Sequence, residues 1–359
     1  MKNPHTLFCF PGSFCPTTYG HLKIVETIAP LFPEVLILNS TNDSKHGRWF
    51  TEDECVELWN HYTLPENARI STYGALRKEK RSFSDVVMIR GIRGKEDLAQ
   101  ENNVLIQNYE RLGISKYFYT ITDAETALVS STRARHAAES LHFSDLAQCV
   151  APGVVTALLK KTLATQHIFM VVGRPGGGKS TILKTMTDID PSIAHINTDE
   201  FNHALRPLLE ASFPGKDLVE VALHHEAEIL AVISKEWFKL LASALRATRG
   251  SRAIFVEVPY GLQPQKAMYR FLGNKILHIG CDKVSHETRM KNRGTPELVR
   301  FLETIPDYTE STRIASKEKL DLYTINTDCD MKSIRERALA FLKEAKIIDD
   351  GREMKGAVS

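Results

Sequence analysis

The sequence lacks the features that mark a secreted or membrane-bound protein. Its six cysteines are scattered without a Cys-x-x-Cys pair, and no histidine stands at metal-ligand spacing, so neither a disulfide framework nor a zinc site is predicted. No apolar run is long enough to cross a bilayer, and the short run TLFCF near the start does not resemble a secretory leader. These absences predict a cytoplasmic protein without a membrane partner.

A strong charge of either sign is also missing. The 46 Lys and Arg residues nearly balance the 44 Asp and Glu residues, which leaves a formal net charge of +2. No basic tract is long enough to attract a nucleic acid electrostatically. Nucleic acid is therefore not a predicted partner, and small-molecule substrates are favoured.

The chain length and the pattern of apolar runs predict two α/β domains. Its 359 residues suit two domains of ordinary size. Short β-rich runs alternate with amphipathic stretches, which is typical of parallel sheets covered by helices on both faces. The runs are HTLFCF, EVLILN, ARISTY, DVVMIRG and KYFYTI, then HIFMVVG, IAHIN, RAIFVEV, KILHIG and LYTIN. The second series follows the helical segment VVTALLKKTLATQ, so we predict domains over 1–164 and 165–349 and a tail over 350–359.

The segment PGSFCPTTYGHLKIV, residues 11–25, is the first candidate site. It follows the first predicted strand and enters a helix predicted over about 20–31, and ligands of parallel sheets bind at such strand ends. His21 lies in the first helical turn, where backbone N–H groups attract an anion; Gly20 would let a phosphate approach, and Ser13 lies on the opposite lip. This arrangement suits the charge that develops on an α-phosphate, although His21 could also be an ordinary helix-cap residue.

Three further segments place cations and hydroxyls at the same sheet edge. Each begins where a predicted strand of the first domain ends, so their polar side chains are expected to converge. The candidate residues are Lys45 after the second strand, Arg90 and Arg93 after the fourth, and Ser130, Ser131 and Thr132 after the fifth.

Taken together, these motifs resemble bacterial phosphopantetheine adenylyltransferase, a Rossmann-like nucleotidyltransferase. The resemblance spans about residues 5 to 160 and rests on FPGSFCPTTYGHL, on NDSK followed by FTEDE, on RGIRGKEDLAQE and on VSSTRAR, in that order. It implies transfer of AMP from ATP to 4′-phosphopantetheine, giving dephospho-CoA and pyrophosphate without a covalent intermediate. The resemblance also implies the site residues: His21 and Ser13 on the reacting phosphates, Lys45 and Arg90 on the acceptor phosphate, and Gly20, Arg93, Glu101 and Ser130 to Thr132 around ATP.

Two departures from that family affect the acceptor site and the segment PGSFCPTTYGHLKIV, residues 11–25, which we call the phosphate loop. Cys15 stands where the family has an aspartate, which removes a carboxylate from the loop. The segment GALRKEKRSFSD is basic where the family is apolar, through Arg77, Lys78, Lys80 and Arg81. That basic segment predicts either a solvated helix face or a more anionic acceptor.

The segment GRPGGGKS, residues 173–180, is the second candidate site. It fits G-x-x-x-x-G-K-[ST] between a predicted strand and a predicted helix, the context of a phosphate-binding P-loop, although a fortuitous glycine-rich turn is the alternative. Lys179 would reach the β- and γ-phosphates and Ser180 would ligate Mg²⁺. The other predicted nucleotide-binding residues of this motif are Gly173, Gly176, Gly177, Gly178 and Thr181.

Two further segments complete the second site. Asp199, in HINTDEF, could accept a hydroxyl proton or hold the metal, or could cap a helix over 199–211. Arg289 and Arg293, in RMKNRG, lie four residues apart on one helix face, as in a lid over a transferred phosphoryl group or in a solvated basic helix.

The second half loosely resembles dephospho-CoA kinase over about residues 167 to 346. The similarity rests on VGRPGGGKST, INTDEF, VEVPYG and RMKNR, with LHHEAE around His224 and His225 in place of the family's L-H-P element. INTDEF is equally typical of zeta-toxin-like kinases. An adenylyltransferase followed by this kinase implies a bifunctional enzyme for the last two steps of coenzyme A synthesis, with ATP as co-substrate and Mg²⁺ as cofactor.

Two other assignments stay open at this point. The two halves could be a nicotinamide-mononucleotide adenylyltransferase fused to a ribosylnicotinamide kinase, or the second half could be a regulatory or toxin-like module. Oligomeric state is also open, because hexamers are usual in the family that the first half resembles whereas the second half could block such packing.

Overall fold

The structure is a computed structural model of the chain. It describes residues 3–40, 49–79, 83–92, 101, 105–106, 108–110, 113–217, 221, 225–258, 268, 271–272, 275–293 and 321–349. The chain forms two compact units, residues 1–158 and 159–359. Within these described ranges, no helix combines the length and the apolar character that crossing a membrane requires.

The N-terminal unit is built on a parallel five-stranded sheet with the order β3-β2-β1-β4-β5. The strands are β1 (Asn3–Gly12), β2 (Val35–Asn39), β3 (Ala68–Thr72), β4 (Phe83–Ile92) and β5 (Lys116–Ile121). The helices are α1 (Tyr19–Ile28), α2 (Glu52–Leu58), α3 (Tyr73–Glu79), α4 (Ala124–Leu128), α5 (Ser131–Ser140), α6 (Phe143–Cys149) and α7 (Pro152–Leu163), which continues into the second unit. The order 3-2-1-4-5 is that of a Rossmann-like sheet, which has its ligand crevice beside β1.

The C-terminal unit holds a second parallel five-stranded sheet with the order β10-β9-β6-β8-β7. Its strands are β6 (His167–Val172), β7 (Ile193–Ile196), β8 (Ala253–Glu257), β9 (Lys275–Gly280) and β10 (Asp321–Asn326). Its further helices are α8 (Lys179–Ile189), α9 (Asp199–Ser212), α10 (Glu226–Ala247), α11 (Lys283–Arg293) and α12 (Met331–Glu344). The central strand β6 leads into the glycine-rich loop.

Apolar side chains cover both faces of the first sheet. Successive residues of a strand point to opposite faces, and Cys9 and Phe10 of β1 accordingly belong to separate buried clusters, as do Leu36 and Ile37 of β2. In the second unit the core centres on Phe169 and neighbouring buried side chains of β8 and β9. Burial on both faces fixes the strand ends, and therefore the loops at the carboxyl edge, on a rigid frame.

The fold class and all ten strands predicted from the sequence are confirmed. The predicted helix over 20–31 ends earlier, at Ile28, and Ala29–Leu31 continue as a 3₁₀ turn. Pro30 causes this change, because proline has no N–H to donate and disfavours the helical conformation of the residue before it. In the basic segment, Lys78 is exposed on α3, as a solvated face requires, whereas Lys80 and Arg81 lie outside the described residues.

Candidate active sites

The loop between β1 and α1 fixes His21 through a capping box. Thr18 is the N-cap of α1, and its side chain accepts a hydrogen bond from the His21 N–H at 3.4 Å. In return, the Nδ1 of His21 accepts the Thr18 N–H at 3.1 Å. The ring of Phe14 meets the imidazole edge-on with centroids 5.0 Å apart. Because Nδ1 is used by the cap, contact with a phosphate is left to the Nε2 side of the ring.

Gly20 lies where the first turn of α1 meets another backbone segment. A Cβ at this position would come within 2.6 Å of the Val129 carbonyl oxygen, just after α4. Glycine is therefore needed here because the start of α1 packs closely against the Val129 backbone. From the sequence, this glycine was expected to let a phosphate approach instead. The packing against Val129 brings the segment before α5 against the start of α1.

Replacing Gly20 with alanine is expected to lower the free energy of unfolding by about 1–3 kcal/mol, because the added methyl group overpacks the Val129 carbonyl. Gly74→Ala is the matched control: it lies in helix α3, and the nearest atom to a new Cβ, Thr72 Oγ1, is 3.8 Å away. The control should be neutral or stabilising. Urea unfolding followed by circular dichroism measures both, and equal midpoints for the two variants would contradict the packing account.

Residues at the start of α5 hold the same loop from the other side. The Ser131 hydroxyl donates to the Pro16 carbonyl at 2.8 Å, and Arg135 Nη1 donates to the Cys15 carbonyl at 2.5 Å. Ser130 caps α5 by accepting from the Arg133 N–H at 3.2 Å. The N-termini of α1 and α5 thus lie beside one loop, where both helix dipoles favour an anion.

Sequence reasoning missed Arg135. The available signal is its position four residues after Ser131, which puts both side chains on one face of α5. Its second nitrogen donates to Thr132 Oγ1 at 3.3 Å, so Arg135 links the predicted hydroxyl cluster to the phosphate loop.

Replacing Arg135 with methionine is expected to reduce kcat/KM for adenylyl transfer by about 10- to 100-fold, since the Cys15–Pro16 segment would lose the bond that holds it in position. Arg133→Met is the control: Arg133 lies on the same helix and its guanidinium pairs with Asp145 at 3.2 Å. Steady-state kinetics at varied ATP measures the effect. Equal losses in both variants would indicate general damage to α5 instead.

Tyr62 also holds the loop between β1 and α1 in place. Its hydroxyl donates to the Thr17 carbonyl at 3.0 Å and accepts the Ala151 N–H at 3.2 Å. Burial strongly raises the pKa of this phenol, so it stays protonated and able to donate. The loop is therefore anchored on carbonyl oxygens at three successive residues, Cys15, Pro16 and Thr17.

Arg90 and Glu101 lie together and form an ion pair. Arg90 Nε and Nη2 donate to the two oxygens of Glu101 at 2.8 and 2.6 Å, and Nη1 donates to the Pro11 carbonyl at 3.2 Å. The sequence analysis assigned Arg90 to the acceptor phosphate and Glu101 to ATP. The structure places these two predicted site residues side by side at the end of β1. Lys45 and Arg93 lie outside the described residues.

Cys15 is buried in the phosphate loop. Its Sγ lies 4.0 Å from the Phe50 carbonyl oxygen, the contact of a weak thiol donor. The loop thus carries a buried thiol at the position of the family's aspartate, and its shape is maintained by the carbonyl contacts described above.

The glycine-rich loop of the second unit joins β6 to α8 as the motif predicts. Gly176 and Gly178 have φ angles of +81° and +93°, which side chains rarely allow. A Cβ at Gly178 would also lie 2.9 Å from Thr327. Lys179 Nζ donates to the carbonyls of Gly173 and Arg174 at 3.0 and 3.4 Å. Ser180 and Thr181 are exposed in the first turn of α8, where their hydroxyls are accessible to a bound phosphate.

Helix α11 braces this loop. His286 Nε2 contacts the Pro175 carbonyl at 2.9 Å, and Arg289 donates to the Thr327 hydroxyl and carbonyl at 2.9 and 2.7 Å. Thr327 in turn donates to Gly177 O at 2.8 Å. In this structure Arg289 thus contacts Thr327, which is bonded to the glycine-rich loop. From the sequence, Arg289 was expected on a transferred phosphoryl group. The side chain of Arg293, at the end of α11, lies outside what the structure describes.

Two carboxylates lie at the carboxyl edge of this sheet. Asp199 is exposed at the first position of α9, and its N–H donates to Asn197 Oδ1 at 3.0 Å. Thr198 occupies the N-cap, so the alternative that Asp199 caps this helix is wrong. Glu257, at the end of β8, is buried and bonds His195 Nε2 at 2.8 Å. Sequence reasoning missed Glu257, although a carboxylate ending the apolar run AIFV was a signal.

The oxygen donors at this sheet edge fit an Mg²⁺ ion that is bound together with substrate phosphates better than a metal ion bound by protein ligands alone. In the part of the chain that the structure describes, no group of three or more His, Cys, Asp or Glu side chains could hold a metal ion. Mg²⁺ usually binds through one or two protein oxygens together with substrate phosphates. The hydroxyl of Ser180 and the carboxylates of Asp199 and Glu257 are such oxygens.

The fold and the loop after β1 define a nucleotidyltransferase. Residues 9–137 match the family described as Cytidylyltransferase-like. The chain is 31% identical over 147 residues to the phosphopantetheine adenylyltransferase of Christiangramia forsetii (strain DSM 17595 / CGMCC 1.15422 / KT0803), and the alignment covers 41% of this chain and 95% of that protein. Through its N-terminal unit, the chain therefore belongs to the phosphopantetheine adenylyltransferase family.

Two solved structures are similar to the chain at low sequence identity. A crystal structure of NadR protein in complex with NR is 13% identical with a TM-score of 0.33, covering 99% of both chains. The Plasmodium falciparum nicotinic acid mononucleotide adenylyltransferase complexed with NaAD is 16% identical with a TM-score of 0.32, covering 43% of this chain and 95% of that one.

Proposed function

We propose that the chain makes coenzyme A from 4′-phosphopantetheine in two steps. The first domain, residues 1–164, transfers AMP from ATP to the acceptor phosphate and releases pyrophosphate. The second domain, residues 165–349, phosphorylates the ribose 3′-hydroxyl of the resulting dephospho-CoA with a second ATP. The observation that carries the first step is the loop held between the N-termini of α1 and α5 in a member of the phosphopantetheine adenylyltransferase family.

In the first step an oxygen of the acceptor phosphate attacks the α-phosphorus of ATP and pyrophosphate leaves. The reaction needs no covalent intermediate, so its rate depends on positioning and on stabilising the developing charge. His21 and the first turn of α1 supply that stabilisation, with Ser13 on the opposite lip. Gly20, Arg93, Glu101 and the hydroxyls of Ser130, Ser131 and Thr132 surround ATP.

Lys45 and Arg90 hold the phosphate of the acceptor. The relative that supports this acceptor is the Christiangramia forsetii protein, which is named for phosphopantetheine. Arg90 must share its guanidinium between Glu101 and the incoming phosphate. The ion pair keeps that guanidinium in place before the substrate binds.

The second step uses the glycine-rich loop. Backbone N–H groups of the glycine run Gly176 to Gly178 cradle the β-phosphate, and Lys179 leaves its two carbonyl partners to reach the β- and γ-oxygens. Ser180 and Glu257, with Asp199 acting through water, would hold Mg²⁺ at this sheet edge, and the ion would neutralise charge on the phosphates. Asp199 accepts the proton of the 3′-hydroxyl, and Arg293 together with a released Arg289 closes over the transferred group.

Each step can be tested alone. Adenylyl transfer is reversible, so the protein should form ATP from dephospho-CoA and pyrophosphate, detected by luciferase, and should form little ATP from NAD and pyrophosphate. Dephospho-CoA with ATP and Mg²⁺ should give coenzyme A and ADP. Formation of ATP from NAD and pyrophosphate, but not from dephospho-CoA and pyrophosphate, would favour a nicotinamide-mononucleotide adenylyltransferase. Failure of only the conversion of dephospho-CoA to coenzyme A would indicate another acceptor for the kinase.

A further inference from the structure

His195 and Glu257 form a pair that the proposed mechanism uses only in part. In the β7–β8 register, Ile196 lies opposite Val256, so Glu257 is the next residue beyond this pair. Glu257 is only 4% exposed, and its Oε1 lies 2.8 Å from His195 Nε2. The Thr198 hydroxyl donates to the Glu257 carbonyl at 2.8 Å, which fixes the backbone at the same place.

Strand pairing puts this carboxylate beside the glycine-rich loop. Glu257 is the register partner of Val171 in the central strand β6, and the Val258 N–H bonds the Val171 carbonyl at 2.9 Å. The loop begins two residues later, at Gly173. Adjacent strands lie about 4.8 Å apart, so the end of β8 adjoins the base of the loop.

The free-energy cost of burying the Glu257 carboxylate suggests that the His195–Glu257 pair has a functional role. A buried carboxylate is expensive to keep unless hydrogen bonds satisfy it, and the imidazole supplies one bond to Oε1. An N–H donor on one oxygen also fixes the plane of the carboxylate and directs the other oxygen. Such outer contacts to a metal-binding group commonly change metal affinity about 10- to 100-fold.

We propose that His195 is a positioning residue that holds Glu257 for the Mg²⁺ of the nucleotide complex. The inference rests on the proposed kinase site and adds to it a residue that contacts neither nucleotide nor metal. The imidazole acts as a hydrogen-bond donor, so a side-chain amide that donates at the same place should replace it.

Calorimetry of the full chain tests this without turnover. Binding of the non-hydrolysable analogue AMP-PNP is measured over a series of Mg²⁺ concentrations for the wild type, His195→Leu and His195→Gln, and the binding that remains in Lys179→Ala, which reports the ATP site of the first domain, is subtracted. His195→Leu is expected to raise the Mg²⁺ concentration for half-maximal affinity by about tenfold or more, and His195→Gln to stay near the wild type. His167→Leu is the control, since this histidine lies at the opposite end of β6 and burial lowers its pKa to about 4.

The outcomes separate the two proposals. An unchanged Mg²⁺ requirement in His195→Leu, or equal losses in the leucine and glutamine variants, would overturn the positioning role while leaving the kinase site intact. Wild-type protein whose Mg²⁺-dependent AMP-PNP binding does not exceed that of Lys179→Ala would overturn the kinase site and the inference with it. If His195→Leu does not fold, His195→Asn replaces it, because its shorter amide does not reach the position of Nε2: a raised Mg²⁺ requirement supports the role and an unchanged one overturns it.

Discussion

Replacing His21 with glutamine is expected to lower kcat for adenylyl transfer by about 100- to 1,000-fold, the usual loss when a group that stabilises transition-state charge is removed. The melting temperature should hardly change. Glutamine at the third helical position completes a capping box, so its oxygen can accept the Thr18 N–H that now bonds His21 Nδ1. The substitution thus removes the imidazole and keeps the cap.

A second variant separates catalysis from folding at this position. His21→Ala removes both the imidazole and the cap acceptor, so it should match the glutamine variant in kcat and also lose about 1 kcal/mol of stability. Pyrophosphate release and thermal unfolding measure the two quantities. A glutamine variant with kcat near the wild-type value would show that His21 is a cap residue and nothing more.

Replacing Lys179 with alanine is expected to slow phosphoryl transfer by about 100- to 1,000-fold while adenylyl transfer continues at the normal rate. Lys179 now donates to the Gly173 and Arg174 carbonyls, and a bound triphosphate offers stronger, charged acceptors. With 4′-phosphopantetheine and ATP, the variant should therefore accumulate dephospho-CoA.

Lys184→Ala is the matched control, because this lysine is exposed on the same helix and lies more than one turn beyond the loop. It should convert dephospho-CoA to coenzyme A at the wild-type rate. Parallel losses in both variants would mean that any change in α8 disturbs the unit. Loss of adenylyl transfer in Lys179→Ala would contradict the division into two independent sites.

The strands could be predicted because each is a short apolar run ended by turn residues. Side-chain direction could not be predicted in the same way. The spacing of Arg289 and Arg293 correctly put both on one helix, but Thr327, far away in sequence, decides where Arg289 points. For His21 a cap role was raised as an alternative, but the capping pattern normally carries Glu or Gln at its third position, so the bond from the Thr18 N–H to the imidazole Nδ1 could not be predicted from the pattern.

Residues whose role depends on two strands meeting were the hardest to find. Glu257 looks like the end of an ordinary buried strand until β7 brings His195 against it. Arg135 was also missed: its spacing from Ser131 put both residues on one helix face, but its partner, the Cys15 carbonyl, has no sequence signature. The roles assigned to Lys45 and Arg93 stay predictions, because both lie outside the described residues.

The most direct test of the account is a time course with purified protein, 4′-phosphopantetheine, ATP and Mg²⁺, with products resolved by mass. The account predicts that dephospho-CoA appears first and is then converted to coenzyme A, with one pyrophosphate and one ADP released for each molecule made. Absence of any adenylylated pantetheine product, together with formation of NAD when nicotinamide mononucleotide is supplied instead, would contradict it.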